Sequence, residues 1–441
     1  MFKFFKNILG IIFLAPLFLP FSYKIWFRPF GISFNLMEIF IAISFLTFAV
    51  LEIFGEEDDK KIEQNVSWTM FGVGWFLMFF GFIISIIVSP NKVDALGIFK
   101  SWFIIPSIFG NLIFKFSRSK NRLVDLIVSF GIGAIILNLI LLVGGVFLES
   151  FWQENRLKGF YESPNYVAMF LTPIFSFFAI QSIFSQSKSL KIFSFAISIL
   201  SFVSIILTKS RGGILLLLVP IIFFIIEILQ NFLQKKLHFS QNKNFKIYIF
   251  SAISVIFVSI FSLSKIWTME RFKSSDNVRK LIWMESVEML KENPIKGIGL
   301  ANFQDEFRER TKDRINFKEF VIPNALHSHN TFLTIYLELS IFGFTGFLLF
   351  VFGFLIYITN FLGELSLRKK NFELDQNENF EEISSIIFFQ VFLKSVLVSV
   401  FSILLYGMVD SAIWKNDLAL QFAFLVSTGM LVSANWEKFD L

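Results

Sequence analysis

At 441 residues, 55% hydrophobic and only 17% charged, the chain lacks the roughly 25% charge of a soluble domain and could not bury its apolar side chains in one globular core. No Cys, three His and no His-Glu-x-x-His pattern exclude disulfides, thiolate centres and thiol nucleophiles, leaving Arg, His, carboxylates and hydroxyls to carry chemistry; no metal or other cofactor is expected. The formal charge of +6 reports on membrane sidedness before it reports on nucleic acid, which is not an expected partner.

A helix crosses the roughly 30 Å hydrocarbon layer with about 20 apolar residues. Runs of that kind recur about twelve times, over residues 8–22, 35–54, 68–89, 98–114, 123–148, 165–184, 192–207, 214–232, 247–264, 330–358, 385–408 and 417–434. The pattern predicts an all-α polytopic membrane protein. The first run carries Pro16 and Pro20 and looks like a signal peptide, but no small-residue cleavage site follows, so it is read as a membrane helix. Three stretches follow: spans 1–9 over 1–264, a large outer loop with short helices over 265–329, and spans 10–12 over 330–441.

Placing the N-terminus in the cytoplasm puts 18 Lys and Arg on the inner side against 8 in the short outer loops. The stretch 265–329, with 12 more, is a long translocated loop exempt from the rule. Both termini are then cytoplasmic. Three polar segments, 149–164, 208–213 and 265–329, share the outer compartment. That face has no nucleotide donor, so a reaction there needs a donor that carries its own activation, such as a lipid diphosphate.

The first outer segment ends in Gly159-Phe160-Tyr161-Glu162-Ser163-Pro164-Asn165, where Pro164 holds Ser163 extended and stiffens the entrance to a span. In Thr208-Lys209-Ser210-Arg211-Gly212-Gly213, a guanidinium suited to bidentate grip on phosphate stands at a helix start beside two glycines that admit close approach of a ligand. The plain alternative is an arginine snorkelling at a helix end. Ser274-Ser275-Asp276-Asn277 reads as the cap of a surface helix reaching about Asn293, with Arg279 and Lys280 in its first turn, where an anion would offset their clash with the helix dipole. Val278, Ile282 and Met289 form its apolar stripe, widened by Trp283, Val287 and Leu290. Pro294 to Gly299 make a tight turn into a short polar helix around 302–312. His327-Ser328-His329-Asn330 begins the tenth span, with Ser328 or Asn330 as its cap, and His329 at the helix start is kept neutral as a general base requires. A histidine that only caps the helix is the alternative, and His238 lies in an inner basic loop.

Together these pieces resemble the O-antigen ligase and O-antigen polymerase family of membrane glycosyltransferases. The resemblance rests on Gly159-x4-Pro164-Asn165, Ser210-Arg211-Gly212, Arg279-x3-Trp283, Asn293-Pro294-x2-Gly297-x-Gly299 and His327-Ser328-His329-Asn330. One departure stands out: where the family tends to have Glu-x-Gly-x2-Gly, this chain has Glu338-Leu339-Ser340-Ile341-Phe342-Gly343, and Ser340 is small enough to keep helix packing there.

The resemblance implies metal-independent, inverting transfer of a glycan from undecaprenyl diphosphate to an acceptor hydroxyl on the periplasmic face. The acceptor would be lipid A–core, or a growing glycan in a polymerase; transfer to a protein hydroxyl is chemically identical. Arg211, Arg279 and His329 match the family's essential residues. Lys209, Lys280, Gly212, Asn165, His327 and Asn330 join Arg211 and Arg279 as substrate contacts, with membrane lipids around them. A transporter of lipid-linked glycans would instead set ionisable groups near the midplane and show repeats; Lys394, Glu227, Asp125 and Lys100 are the candidates, and the outer motifs do not recur.

Overall fold

The computed structural model describes residues 15–22, 26–27, 34–54, 70–116, 119–237, 270–312, 327–374 and 380–435. The expected ninth span, 247–264, and His238 lie outside them, as does part of the first run.

The described chain is mostly helical. Helix α1 (Leu36–Phe54) follows a two-stranded antiparallel pair, β1 (Trp26–Phe27) and β2 (Phe34–Asn35). Its start is a reciprocal cap: the Glu38 amide donates to Asn35 Oδ1 at 2.8 Å, and Glu38 Oε2 accepts from the Asn35 amide at 3.1 Å. Next come α2 (Met70–Val88) and α3 (Lys92–Phe99), the latter running through a π turn at Lys100–Ile104 into α4 (Ile105–Phe116). Helix α5 (Lys120–Phe147) leads to a hairpin of β3 (Trp152–Gln153) and β4 (Arg156–Leu157). Then come α6 (Pro164–Phe184), α7 (Lys188–Thr208), α8 (Arg211–Leu216) and α9 (Val219–Leu237). The stretch 270–312 supplies α10 (Glu270–Glu292) and α11 (Phe303–Thr311), before α12 (Thr331–Leu374), α13 (Phe380–Tyr406) and α14 (Asn416–Asn435) complete the described helices.

Eight helices among the described residues are long and apolar enough to cross a membrane, and Leu36–Val50 is a shorter apolar helix. Glycines let two of them meet backbone to backbone. A Cβ on Gly81 of α2 would stand 2.5 Å from Gly343 Cα of α12, and one on Gly74 would stand 2.3 Å from the Phe350 amide nitrogen. Close approach of this kind is what small residues provide between membrane helices, where burial in lipid gives no preference for association. The ionisable groups singled out for transport are engaged in ion pairs: Lys394 with Glu227 at 3.1 Å, Lys100 with Glu38 at 2.7 Å, and Arg122 with Asp125 at 3.6 Å.

Helix α10 begins at Glu270, four residues before the cap-like serines, so Arg279 lies in its third turn and the anticipated clash with the helix dipole does not arise there. Ile282 and Met289 do form its buried stripe, in a small core with Ile298, Phe303, Phe307 and Leu337. The stripe is covered by α11 and by α12, while Trp283, Met284 and Val287 stay exposed. Arg310 straps α11 to α10 through Glu292 and Glu306.

The helix pattern breaks once inside α12, at Ser340, whose φ of 67° and ψ of 176° leave helical space. The Pro294–Gly299 turn fills the break. The Ile298 amide donates to the Leu337 carbonyl at 2.8 Å and the Ile341 amide to the Ile295 carbonyl at 3.0 Å. Gly297 and Gly299 both have positive φ; a Cβ on the first would meet the Leu337 oxygen at 2.2 Å, and on the second the Ser89 nitrogen at 2.7 Å. The Gly-x-Gly turn is therefore a plug seated between α12 and the end of α2. The expectation for Ser340 is corrected: the position answers to backbone conformation, not to side-chain size.

Candidate active site

The segments 89–91, 149–165, 208–213, 294–300, 327–331 and 406–416 gather at one end of the bundle. Arg156 on β4 ties two of them, donating from Nε to the Thr208 carbonyl at 2.9 Å and from Nη2 to Asn165 Oδ1 at 2.7 Å. Helix α7 thus ends at a held point. Lys209 then turns the chain with a left-handed φ of 50° and stays exposed, and Ser210 caps α8. The Tyr406 hydroxyl donates to the Asn165 carbonyl at 3.4 Å, so the Ser210 hydroxyl, 2.8 Å away, donates to the Tyr406 oxygen. Arg211 is the first residue of α8, directly after the Ser210 that meets the Tyr406 hydroxyl. A Cβ on Gly212 would lie 3.4 Å from Tyr406 and Val409, and one on Gly213 would lie 2.8 Å from Ala168 Cβ. Gly213 serves close packing on α6, whereas a Cβ at Gly212 would make only ordinary contact.

One turn beyond Tyr406 the loop from Gly407 to Lys415 folds inward against the start of α12. Thr331 Oγ1 donates to the Asp410 carbonyl at 3.1 Å and accepts from the Ala412 amide at 2.9 Å, while the Thr331 amide donates to the Gly407 carbonyl at 2.7 Å. Asn330 is the cap of α12: its Oδ1 accepts from the Leu333 amide and its Nδ2 donates to the Met408 carbonyl, both at 3.0 Å. Both ends of its amide hold the fold. Trp414 donates to Glu338 at 3.0 Å, and Lys415 pairs with Glu162 at 2.8 Å over the Tyr166 ring.

This loop delivers Asp410, which is buried, to His329 and Arg279, two of the three residues expected to do chemistry; the third, Arg211, stands on α8. Asp410 Oδ1 lies 3.0 Å from His329 Nδ1, and its Oδ2 lies 3.8 Å from an Arg279 nitrogen. A carboxylate is acceptor-only, so Nδ1 of His329 carries a proton, and in the neutral ring its Nε2 keeps a lone pair. The histidine is held at a left-handed φ of 50° and is partly exposed. The sequence reading assigned the neutrality of its ring to the helix start; the structure adds a carboxylate partner that sets Nδ1 as the protonated nitrogen of that neutral ring.

The arginines differ in kind. Arg310 and Arg156 make hydrogen bonds to carboxylates, an amide and a carbonyl. Arg279 makes an ion pair beyond hydrogen-bond range and no hydrogen bond among the described residues, so its N–H donors stay available to an anion. Lys280 beside it is exposed and takes no part in the Asp410 cluster.

Burial raises the Asp410 carboxyl, but the charge and hydrogen bond of His329, with Arg279 and His327, outweigh it and hold it well below the usual carboxylate range. Burial and the nearby His329 charge push His327 down to about 3, against the opposite pull of Asp410. Nitrogen and oxygen atoms of His327, His329 and Asp410 lie within 4.8 Å of one another, a spacing that could receive a metal ion. The guanidinium 3.8 Å from the same carboxylate opposes a second cation there.

Asp410, Tyr406 and Arg156 escaped the sequence reading. Asp410 did leave a signal, as the only carboxylate between Ile383 and Asn416. Arg156 left none beyond its charge. Residues 196–351 match the family model described as O-antigen ligase. No curated protein matches the chain.

Proposed function

We propose, from the membership of residues 196–351 in the O-antigen ligase family, that the chain transfers a glycan from undecaprenyl diphosphate to an acceptor hydroxyl, with lipid A–core as acceptor. The family supports an O-antigen ligase or polymerase type of membrane glycosyltransferase; the donor, the acceptor and the residue roles are our reading. The observation that carries it is the meeting of His329 and Arg279 on Asp410, one helical turn from the tyrosine that seats the Arg211 turn.

Leaving of a lipid diphosphate from the anomeric carbon builds negative charge on the departing oxygens. Arg279 and Arg211 supply fixed positive charge where that develops, the task a divalent cation performs in other transferases. His329 Nε2 takes the proton of the attacking hydroxyl, and Asp410 stabilises the imidazolium that results. One displacement, with the hydroxyl and the leaving diphosphate on opposite faces of the sugar, inverts the anomeric centre. Asn165 and Asn330 shape the site through the backbone they hold. Lys209 and Lys280, both exposed, are assigned to the membrane-side approach of the anionic donor. The site faces the periplasm, both termini lie in the cytoplasm of an inner-membrane protein, and 265–329 forms the outer region between spans 9 and 10.

The test is product formation by the purified chain in liposomes with undecaprenyl-diphosphate-linked glycan and lipid A–core. Arg279→Ala and His329→Ala are each expected to cut turnover by about 10²-fold or more while inserting normally. Full activity in both variants would overturn the assignment; a lengthened donor with unmodified core would make the chain a polymerase.

A further inference from the structure

His327 is not used in the steps above, yet it is buried and its ring centroid lies 4.7 Å from that of His329. Its Nδ1 receives the His329 backbone N–H at 3.4 Å. Nδ1 is therefore unprotonated, because an N–H cannot donate to another N–H. The surrounding hydroxyls agree. Ser328 donates to the Asn330 carbonyl at 3.0 Å, so Thr334, 2.7 Å away, donates to the Ser328 oxygen. Ser411, next in line at 3.3 Å from Thr334 and 3.0 Å from His327 Nδ1, is left with its proton directed at one of two acceptors, the nearer being the imidazole nitrogen. A ring whose Nδ1 accepts is neutral only with its proton on Nε2. That nitrogen has no hydrogen-bond partner among the described residues, and His327 keeps 9% of its surface exposed.

We propose that His327 is the fixed hydrogen-bond donor of the site, presenting Nε2–H to a hydroxyl oxygen of the acceptor sugar while His329 takes the proton of the attacking one. The two histidines, two residues apart, then have opposite duties set by opposite tautomers: Asp410 holds the proton on Nδ1 of His329, and the His329 amide with Ser411 keeps it off Nδ1 of His327. His327 transfers no proton; it orients the sugar. The groups that face it from other elements, Asp410 and Ser411 on the inward loop, Lys415 beyond them and Glu162 before α6, leave its ring uncharged in the neutral range, in keeping with its lowered pKa.

This role rests on the glycosyl transfer proposed above, so the test separates the two. Nitrogen-15 NMR of the full chain labelled at histidine reads the tautomers directly, and with only three histidines the His238→Gln and His329→Gln variants assign the signals. His327 is expected to show a protonated Nε2 and a bare Nδ1 from about pH 5 to 8; a protonated Nδ1, in either the neutral or the charged ring, would overturn the proposal. In the liposome assay, glutamine reproduces Nε2–H and asparagine places its donor at the Nδ1 position. His327→Gln is expected to stay within about 3-fold of the parent, while His327→Asn raises the acceptor KM by about 10-fold with a smaller change in kcat. Equal loss in both variants, with His329→Gln inactive, would remove the donor role and leave the transferase standing. Full activity of His329→Gln would remove the transferase itself.

Discussion

Asp410 joins the two halves of the chemistry, and its removal should separate them. In Asp410→Asn the amide can offer N–H to His329 Nδ1, which favours the other tautomer and puts the proton where the lone pair is needed. Turnover is expected to fall by about 10²-fold or more with the donor KM changed far less, measured as initial rates in liposomes. His327 gives a pH signature. Its folded pKa, near 3, lies below the ordinary value near 6.5, so on acidification the unfolded chain takes up a proton that the folded chain refuses. Stability should therefore fall from about pH 6.5 downward, by up to about 1.4 kcal/mol per pH unit from this group, and His327→Gln should flatten the slope in thermal melts between pH 6.5 and 4.5. Asp410, with its folded pKa lowered, adds stability that is present above the unfolded value and is lost only at stronger acid. Arg211, Arg279 and His329, the side chains proposed for catalysis, were singled out in the sequence by Gly, Pro or cap-like residues nearby. Asp410 was passed over, since its partners lie 81 and 131 residues away and its one local mark, isolation as a carboxylate between Ile383 and Asn416, names no partner.

At the scale of elements, the broken helix α12 and the turn that fills it explain a motif that the sequence displayed without its purpose. Ser340 occupies a region of backbone space that is nearly exclusive to glycine, at a cost of about 1–3 kcal/mol. Ser340→Gly should raise the melting temperature in detergent by a few degrees without changing product, whereas Ser340→Val should lower it. Gly297→Ala and Gly299→Ala should each unseat the plug, since neither the Leu337 oxygen nor the Ser89 backbone can retreat without breaking its own hydrogen bonds. Loss of activity alongside faster proteolysis within 270–312 would register that. Helix positions were readable from apolar runs, and α6, α7 and α12 begin within a few residues of where hydropathy set them. The start of α10 was not, because the cap-forming serines at 274 and 275 lie inside a helix that the flanking residues extend.

For the whole molecule, the absence of cysteine turns topology into a simple experiment. Single cysteines at Glu154 and Arg308 should react with a membrane-impermeant maleimide applied from the periplasm. Cysteines at Ser187 and Lys369 should react only after the membrane is opened. Reaction of all four from one side would undo the orientation on which the periplasmic assignment rests. Eight helices meet the length and composition of a span among the described residues, against the twelve runs counted from hydropathy. Of the other runs, 247–264 and part of 8–22 lie outside the described residues, and Leu36–Val50 is a shorter apolar helix.

The plug at Pro294–Gly299 has a mechanical corollary. Arg279 stands 14 residues up α10 from Asn293, about 21 Å along the axis. With its footing there and against Leu337, the helix is a lever whose far end carries the guanidinium. A tilt of about 10° at the fulcrum moves that charge by about 3.5 Å, a displacement comparable to its whole separation from Asp410. A modest tilt at that footing is thereby enough to make or break the ion pair between Arg279 and Asp410.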